Sequence, residues 1–473
     1  MGSELCFASA RALAQLLRSR AVSAREVMAA FLDQIARVNP KINAIVAKLD
    51  DDKCLALADQ ADRRLSRGEL VGVLHGLPFA FKDLDPAVGF PMTRGSPIFK
   101  DFMPSEDSVL VERLRGADVI PIGKTNVSEF GMGSHTFNQV YGTTFNPYNL
   151  GETAGGSSGG AGAALAAGLL PLASGSDLGG SLRNPANFNN IVALRPTVGL
   201  VPSAPVALPF LGFTVKGPMA RSVGDAAFLL SAMAGADVRD PACIPSDPAL
   251  FARPLDRDFK NVHVAWCPDL GGLPLDRRVR AILNSQRQTF VDLGCIVEDA
   301  VPDLSDADEV FLTLRAWNYW HTLGPVLKAH RSAMKPEAVW QIEQGRELSG
   351  DDIARAMHRH GELMQRMRRF QEKFEYLICA VNQVPPFDAA IDWPHEIEGV
   401  KMENYLDWMK SAYWITATFC PAISVPAGFT EDGLPVGIQI AGRYRDDLGV
   451  LQLGHGFEQL TKFGLRRPLV AIA

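Results

Sequence analysis

Residues 151–186, GETAGGSSGGAGAALAAGLLPLASGSDLGGSLRNPA, set Ser157, Ser158, Ser174, Ser176 and Ser181 in a frame of glycines with scarcely a charge. A low-complexity linker would read this way. So would a nucleophile site, in which serine hydroxyls react and glycines leave backbone N–H groups uncrowded. A serine hydroxyl attacks poorly until a base removes its proton. None of the nine histidines lies in the stretch, which decides little, because catalytic partners meet only in the fold. A different base is Lys82 in LHGLPFAFKDLD, where it closes an apolar run that reads as a buried strand. Burial there lowers the lysine pKa by desolvation. Moving it from about 10.4 to about 7.5 takes roughly 4 kcal/mol of bias against the ammonium form. Apolar surroundings with hydroxyl neighbours supply that bias, whereas carboxylate neighbours oppose it.

The elements that must hold these groups follow from the pattern of the rest of the chain. SAREVMAAFLDQIARVN opens with a capping box, Ser23 and Glu26, and carries Val27, Phe31 and Ile35 at helical spacing until Asn39-Pro40. LALADQADRRLSRG reads as a second helix, ended by Gly68. LHGLPFAFKD, ADVIPIGKTN, LLPLASGSD and IVALRPTVGLVP are short apolar runs alternating with the helical patterns DSVLVERLRGA and SVGDAAFLLSAMAGA. That alternation predicts an α/β fold: a large mixed, mostly parallel twisted sheet covered by helices on both faces. The glycine-rich stretch lies between strand-like and helical segments, so the linker reading fails on context. NVHVAWCP, a helix over 276–293 and CIVEDA form another such passage, and CPAISVPAGFTEDGLPVGIQIAGR predicts a hairpin about Glu431-Asp432-Gly433. The expected organisation is one domain: helices over 1–70 packed on the core, the α/β core over 71–304 and 376–473, and a helical insertion or lid over 305–375.

The formal net charge of −6 excludes a surface built for nucleic acid or an anionic membrane and leaves a small molecule as the expected partner. Seven cysteines without C-x-x-C spacing read as free thiols of a reducing compartment. MGSELCFASA lacks the pattern of a secretory signal, and Cys6 stands where a myristoylation signal needs Ser or Thr, so a cytoplasmic chain is expected.

The chain resembles the amidase signature hydrolases in GLPFAFKD, in GKTNVSEFGMGS and above all in GGSSGG followed by GSDLGGSLRNPA. The likeness runs through nearly the whole chain, including its closing hairpin. It implies an amidase working through a Ser–cis-Ser–Lys triad: Ser181 as nucleophile, Ser157 as proton relay on a cis Gly156–Ser157 peptide, and Lys82 as terminal base. The backbone N–H groups of Leu178, Gly179, Gly180 and Ser181 would form the oxyanion hole, supported by Ser158, Ser176, Asp177 and Arg183. Leu178 stands where the family commonly has threonine, Ala161 where serine is frequent and Leu200 where arginine is frequent; these departures leave the triad intact. No metal and no organic cofactor is expected.

Other motifs compete for these roles. GSSGG satisfies G-x-S-x-G with Ser158 at its centre, the nucleophile elbow of α/β-hydrolases, which would need a histidine and an acid. SAMK, Ser332 to Lys335, fits S-x-x-K but lacks companion motifs, and IPIGKTN lacks the first glycine of a phosphate loop, which leaves Lys124 structural. His358 and His360, at i and i+2, point to different sides of a helix and make a poor metal pair. Six of the seven tryptophans, all but Trp266, fall between Trp317 and Trp414. They read as helical core packing or as the roof of an aryl-accepting pocket, with Trp317, Trp414 and the family's acyl-site position Met132 as lining. Bulky or aryl amides, carbamates (urethanes) or esters are the expected substrates, and the chain is expected to be a monomer or homodimer. Two rivals remain: the glutamine amidase subunit of an amidotransferase, and an inactive small-molecule-binding protein.

Overall fold

The structure, a computed structural model, describes residues 2–472. Helix α1 (Ala24–Ile42) starts at the expected capping box, the Ser23 hydroxyl accepting from the Glu26 N–H while Glu26 accepts from the Ser23 N–H. It runs through Asn39-Pro40 rather than stopping there. Its end is set at Asn43, which adopts a left-handed conformation and donates its N–H to the Asn39 carbonyl at 2.7 Å. Helix α2 (Asp51–Ser66) follows.

Eleven strands carry the rest of the argument: β1 (Ile45–Val46), β2 (Pro78–Lys82), β3 (Ile120–Thr125), β4 (Leu172–Asp177), β5 (Val192–Arg195), β6 (Val215–Ala220), β7 (His263–Trp266), β8 (Ile296–Asp299), β9 (Tyr376–Ala380), β10 (Ala422–Phe429) and β11 (Pro435–Gly442). Among the described residues, one sheet has the order β8-β7-β9-β11-β10-β5-β6-β4 and a smaller one the order β1-β3-β2. The helices used below are α3 (Gly159–Ala166), α4 (Ala307–His330), α5 (Pro336–Gln344), α6 (Gly350–Lys373) and α7 (Lys410–Ala417).

The large sheet is mixed, as the sequence suggests, but its balance differs from the expected mostly parallel one. β7 runs parallel to β8 and β9, whereas β9–β11, β11–β10, β10–β5, β5–β6 and β6–β4 are antiparallel. A buried apolar run marks a strand without marking its direction. β6 returns between β4 and β5 and opposes both. The hairpin about Gly433, whose φ is +84°, makes β10 and β11 antiparallel, as its sequence foretells. The segment 305–375 is helical in α4, α5 and α6. All seven cysteines are free thiols. No helix among the described residues is long and apolar enough to cross a membrane.

Candidate active site

Lys82 is the last residue of β2, in parallel register with Thr125 of β3, and its side chain is fully buried. Its Nζ donates to the Oγ of Ser157 at 2.9 Å, of Ser158 at 2.7 Å and of Ser176 at 2.9 Å, with the Ser176 carbonyl at 3.4 Å. Ser176 arrives from β4, while Ser157 and Ser158 stand just before α3. The Gly156–Ser157 peptide is cis. Lys82 forms no ion pair among the described residues. Burial, reinforced by the Lys216 ammonium and opposed by Asp85 and Asp177, lowers its pKa to about 7. The amine is therefore substantially unprotonated near neutrality.

The glycine loop leaving β4 is organised by Asp177. Its Oδ1 accepts from the Gly180 N–H at 2.8 Å, and its Oδ2 from the Leu182 N–H at 3.2 Å. Arg183 adds a two-pronged contact, Nε to Oδ2 and Nη2 to Oδ1, both at 3.0 Å. Arg195 Nη1 reaches the Asp177 carbonyl at 2.6 Å and Oδ1 at 3.3 Å. Burial alone would push the Asp177 carboxyl up; the two guanidiniums and the Gly180 N–H outweigh it and hold it well below the usual carboxylate range. The Gly180 N–H is thus committed to Asp177. This narrows the expected oxyanion hole to Leu178, Gly179 and Ser181, whose N–H groups have no protein acceptor among the described residues. The glycines are also needed for space. A Cβ on Gly179 would lie 2.8 Å from Phe311 Cζ, and one on Gly180, whose φ is +120°, would lie 2.7 Å from Ala412 Cβ.

Ser181 follows on this loop, and its hydroxyl has no hydrogen-bond partner among the described residues. Gly156 is held through its N–H by Asn184 Oδ1 at 2.9 Å. The turn ending in Gly131 comes close to Ser157, its notional Cβ lying 3.5 Å from the Ser157 Oγ. Met132, next in sequence, is buried in an apolar cluster with Phe130, Tyr319 and Leu323, against which Leu178 packs. Lys335, the lysine of SAMK, pins this turn from the N-terminus of α5, its Nζ donating to the Met132 carbonyl at 2.8 Å.

Trp317 and Trp414 pack against a second apolar cluster. The Trp414 N–H donates to Asp308 Oδ1 at 2.6 Å, a carboxylate that also takes Lys410 and the Tyr413 hydroxyl, so this indole braces α7 on α4. The aromatic side chains nearest Gly179 are instead Phe311 and Tyr413, stacked at 4.3 Å between ring centroids. Tyr413 belongs to the aromatic set that the sequence reading offers as a pocket roof; that reading missed Phe311, together with Arg195, Asn184, Asp85 and Lys216. For Phe311 the only available signal was the aromatic density of the helical segment.

The competing motifs fare differently. The Ser158 hydroxyl bonds to Lys82 rather than to a histidine, so the elbow lacks its base. His358 faces Glu362 on the surface, while His360 packs between Phe213 and Phe419. Lys124 donates to the Asp85 carbonyl at 2.6 Å. No cluster of metal-ligating side chains occurs among the described residues.

The same fold recurs in solved amide hydrolases. A bacterial aryl acylamidase of the amidase signature family superposes with a TM-score of 0.89 at 28% identity, over 98% of this chain and 99% of that one. A 6-aminohexanoate cyclic dimer hydrolase complexed with substrate gives 0.87 at 26% identity, over 98% and 99%. In sequence, an acylamidase of Rhodococcus erythropolis is 35% identical over 470 residues, covering 97% of each chain. A glutamyl-tRNA(Gln) amidotransferase subunit from a Cyanothece species is 31% identical over 484 residues, covering 98% of this chain and 99% of that one. The Amidase family model matches residues 26–451. The chain belongs to the amidase signature family, and it is a hydrolase of carbon–nitrogen bonds in linear amides.

Proposed function

We propose that the chain is a free-standing amidase that works through a serine acyl-enzyme, with Ser181 as nucleophile, Ser157 as relay and Lys82 as base. The observation that carries this reading is the Lys82 amine, 2.9 Å from the Ser157 hydroxyl and without a carboxylate partner. As Ser181 Oγ bonds to the substrate carbonyl carbon, its proton passes to Ser157, whose own proton passes to Lys82. The N–H groups of Leu178, Gly179 and Ser181 hold the oxyanion, with Asp177, Arg183, Ser158, Ser176 and Gly156 keeping the frame. The Lys82 ammonium returns a proton through the relay to the leaving nitrogen, the C–N bond breaks and the amine departs. Water then attacks the acyl-enzyme by the same path and releases the acid. Esters and carbamates suit the same machinery.

Bulky or aryl amides are the favoured substrates: the half-buried Leu178 of the loop packs on two apolar clusters, one holding the buried Met132 and the other the buried Phe311 and Tyr413, with Trp317 and Trp414 against the second. The similarity to acylamidases supports this choice. A cytoplasmic monomer or homodimer acting on a small amide fits the acidic charge. The test is a screen of amides, esters and carbamates with wild type and Ser181→Ala. Turnover of aryl amides that Ser181→Ala abolishes supports the reading, and unchanged turnover removes it. The similarity to amidotransferase subunits keeps one other reading alive, and isolation from native extract with a stoichiometric partner would favour it.

A further inference from the structure

We propose that the Lys216–Asp85 ion pair is a positioning device for the base: by occupying the Asp85 carboxylate, it keeps that carboxylate off Lys82 and leaves the amine free to take a proton. The inference rests on Lys82 being the base. Asp85 follows Lys82 by three residues, and a turn in which the Asp85 N–H donates to the Lys82 carbonyl at 2.9 Å folds it back toward that lysine. Its side chain is fully buried, and its Oδ1 is paired with Lys216 Nζ. Lys216 comes from β6, where it stands in register opposite Ser176, itself a hydrogen-bond partner of Lys82. Asp85 Oδ2 is buried and takes no hydrogen bond. It is an acceptor that a neighbouring cation would fill once Lys216 was gone.

The other charges about Lys82 are arranged to the same end. On its own strand's continuation, the Asp83 carboxylate accepts from the Thr93 N–H and hydroxyl and faces Lys124 of β3. Lys124 gives its protons to the Asp85 carbonyl, leaving that carboxylate to Lys216. From β4, Asp177 is taken by Arg183 and Arg195. The loop before α3 contributes only the hydroxyls of Ser157 and Ser158. Each buried carboxylate near the amine therefore has another partner, and Asp85 is the one whose partner is a single lysine, itself 16% exposed. An unpaired buried carboxylate beside an amine favours the ammonium form, and an unpaired cation disfavours it.

The test is the acid limb of the pH profile of kcat/KM, measured for wild type, Lys216→Met, Asp85→Asn and the double variant, with Lys82→Ala as reference. Lys216→Met should move the limb up by about one pH unit or more, which at pH 6 is about a tenfold loss beyond any change in the alkaline plateau. Asp85→Asn should move it down, and the double variant should return close to wild type. A tie that merely closes β2 on β6 would lower rates or stability without moving the limb. A limb that stays fixed in Lys216→Met, or moves the same way in both single variants, overturns the inference. Should Lys216→Met fail to fold, Asp85→Asn decides, since an unmoved or upward limb refutes it. If Lys82→Ala keeps its activity, the reading of Lys82 as base fails instead.

Discussion

Asp177→Asn perturbs the site at its most constrained point. The carboxylate is fully buried and joins two buried guanidiniums, Arg183 and Arg195, to the N–H groups of Gly180 and Leu182. Asparagine keeps the shape but removes the charge and turns one acceptor into a donor facing an arginine. Breaking a buried ion pair from one side costs about 3–5 kcal/mol, because the remaining charge is left uncompensated. That is the expected loss of unfolding free energy, read from the urea midpoint at constant m-value. The loop should loosen as well, and kcat should fall by about 100-fold, the low end for losing an oxyanion-hole donor. The pH dependence carries a sign. The folded-state carboxyl is held below its unfolded value of about 3.9, so its stabilisation is complete above that pH and is lost as pH falls through the folded value. The stability gap between wild type and variant should therefore be full at pH 7 and narrow in acid. A variant within about 0.5 kcal/mol of wild type, the range of ordinary surface substitutions, with normal kcat would refute the assignment of Asp177 as the organiser of the loop.

Three further outcomes follow from the geometry. Because Lys82 must be neutral to accept a proton and titrates at about 7, kcat/KM should fall about tenfold per pH unit well below that value and level off above it; a limb centred below pH 5 would contradict this. Gly180→Ala meets both a φ of +120° and the Ala412 methyl, and should lower kcat by at least about 100-fold in a protein whose circular dichroism is unchanged. Phe311→Leu should reduce turnover of an aryl amide more than that of a short aliphatic amide, whereas Trp414→Phe should cost about 1 kcal/mol of stability through its lost bond to Asp308 and leave the ratio alone; equal losses on both amides in Phe311→Leu would remove the aryl argument.

What the sequence made legible was local. Lys82, Ser157, Ser158 and Ser176, which the fold brings into hydrogen-bond contact, stand in short motifs with distinctive neighbours, and the capping box of α1 and the hairpin about Gly433 are set by residues within a few positions. What it hid depends on pairing across distance. Strand direction in the large sheet is decided by which runs meet, and apolar runs such as IVALR carry no arrow. Asp85 and Lys216 are 131 residues apart and meet only in the fold, Asp85 from the turn after β2 and Lys216 from β6, opposite Ser176. The commitment of the Gly180 N–H to Asp177 needed coordinates, since a glycine-rich loop offers every N–H equally on paper. Pro40 misled because a proline near a helix's end removes only one N–H, and Asn43 supplies the stop instead.

The rate at which a fluorophosphonate labels the protein, followed against pH in wild type and Lys82→Met with the adduct mapped by peptide mass, tests the central claim most directly. A single adduct on Ser181 should form at a rate that rises through pH 7 and levels off, and Lys82→Met should slow it at least a thousandfold on that plateau, in line with the cost of losing a triad member (about 10⁴-fold), with the gap narrowing in acid as the wild-type lysine protonates. An adduct on Ser158, or labelling that Lys82→Met leaves unchanged, would contradict a neutral lysine acting on Ser181 through Ser157.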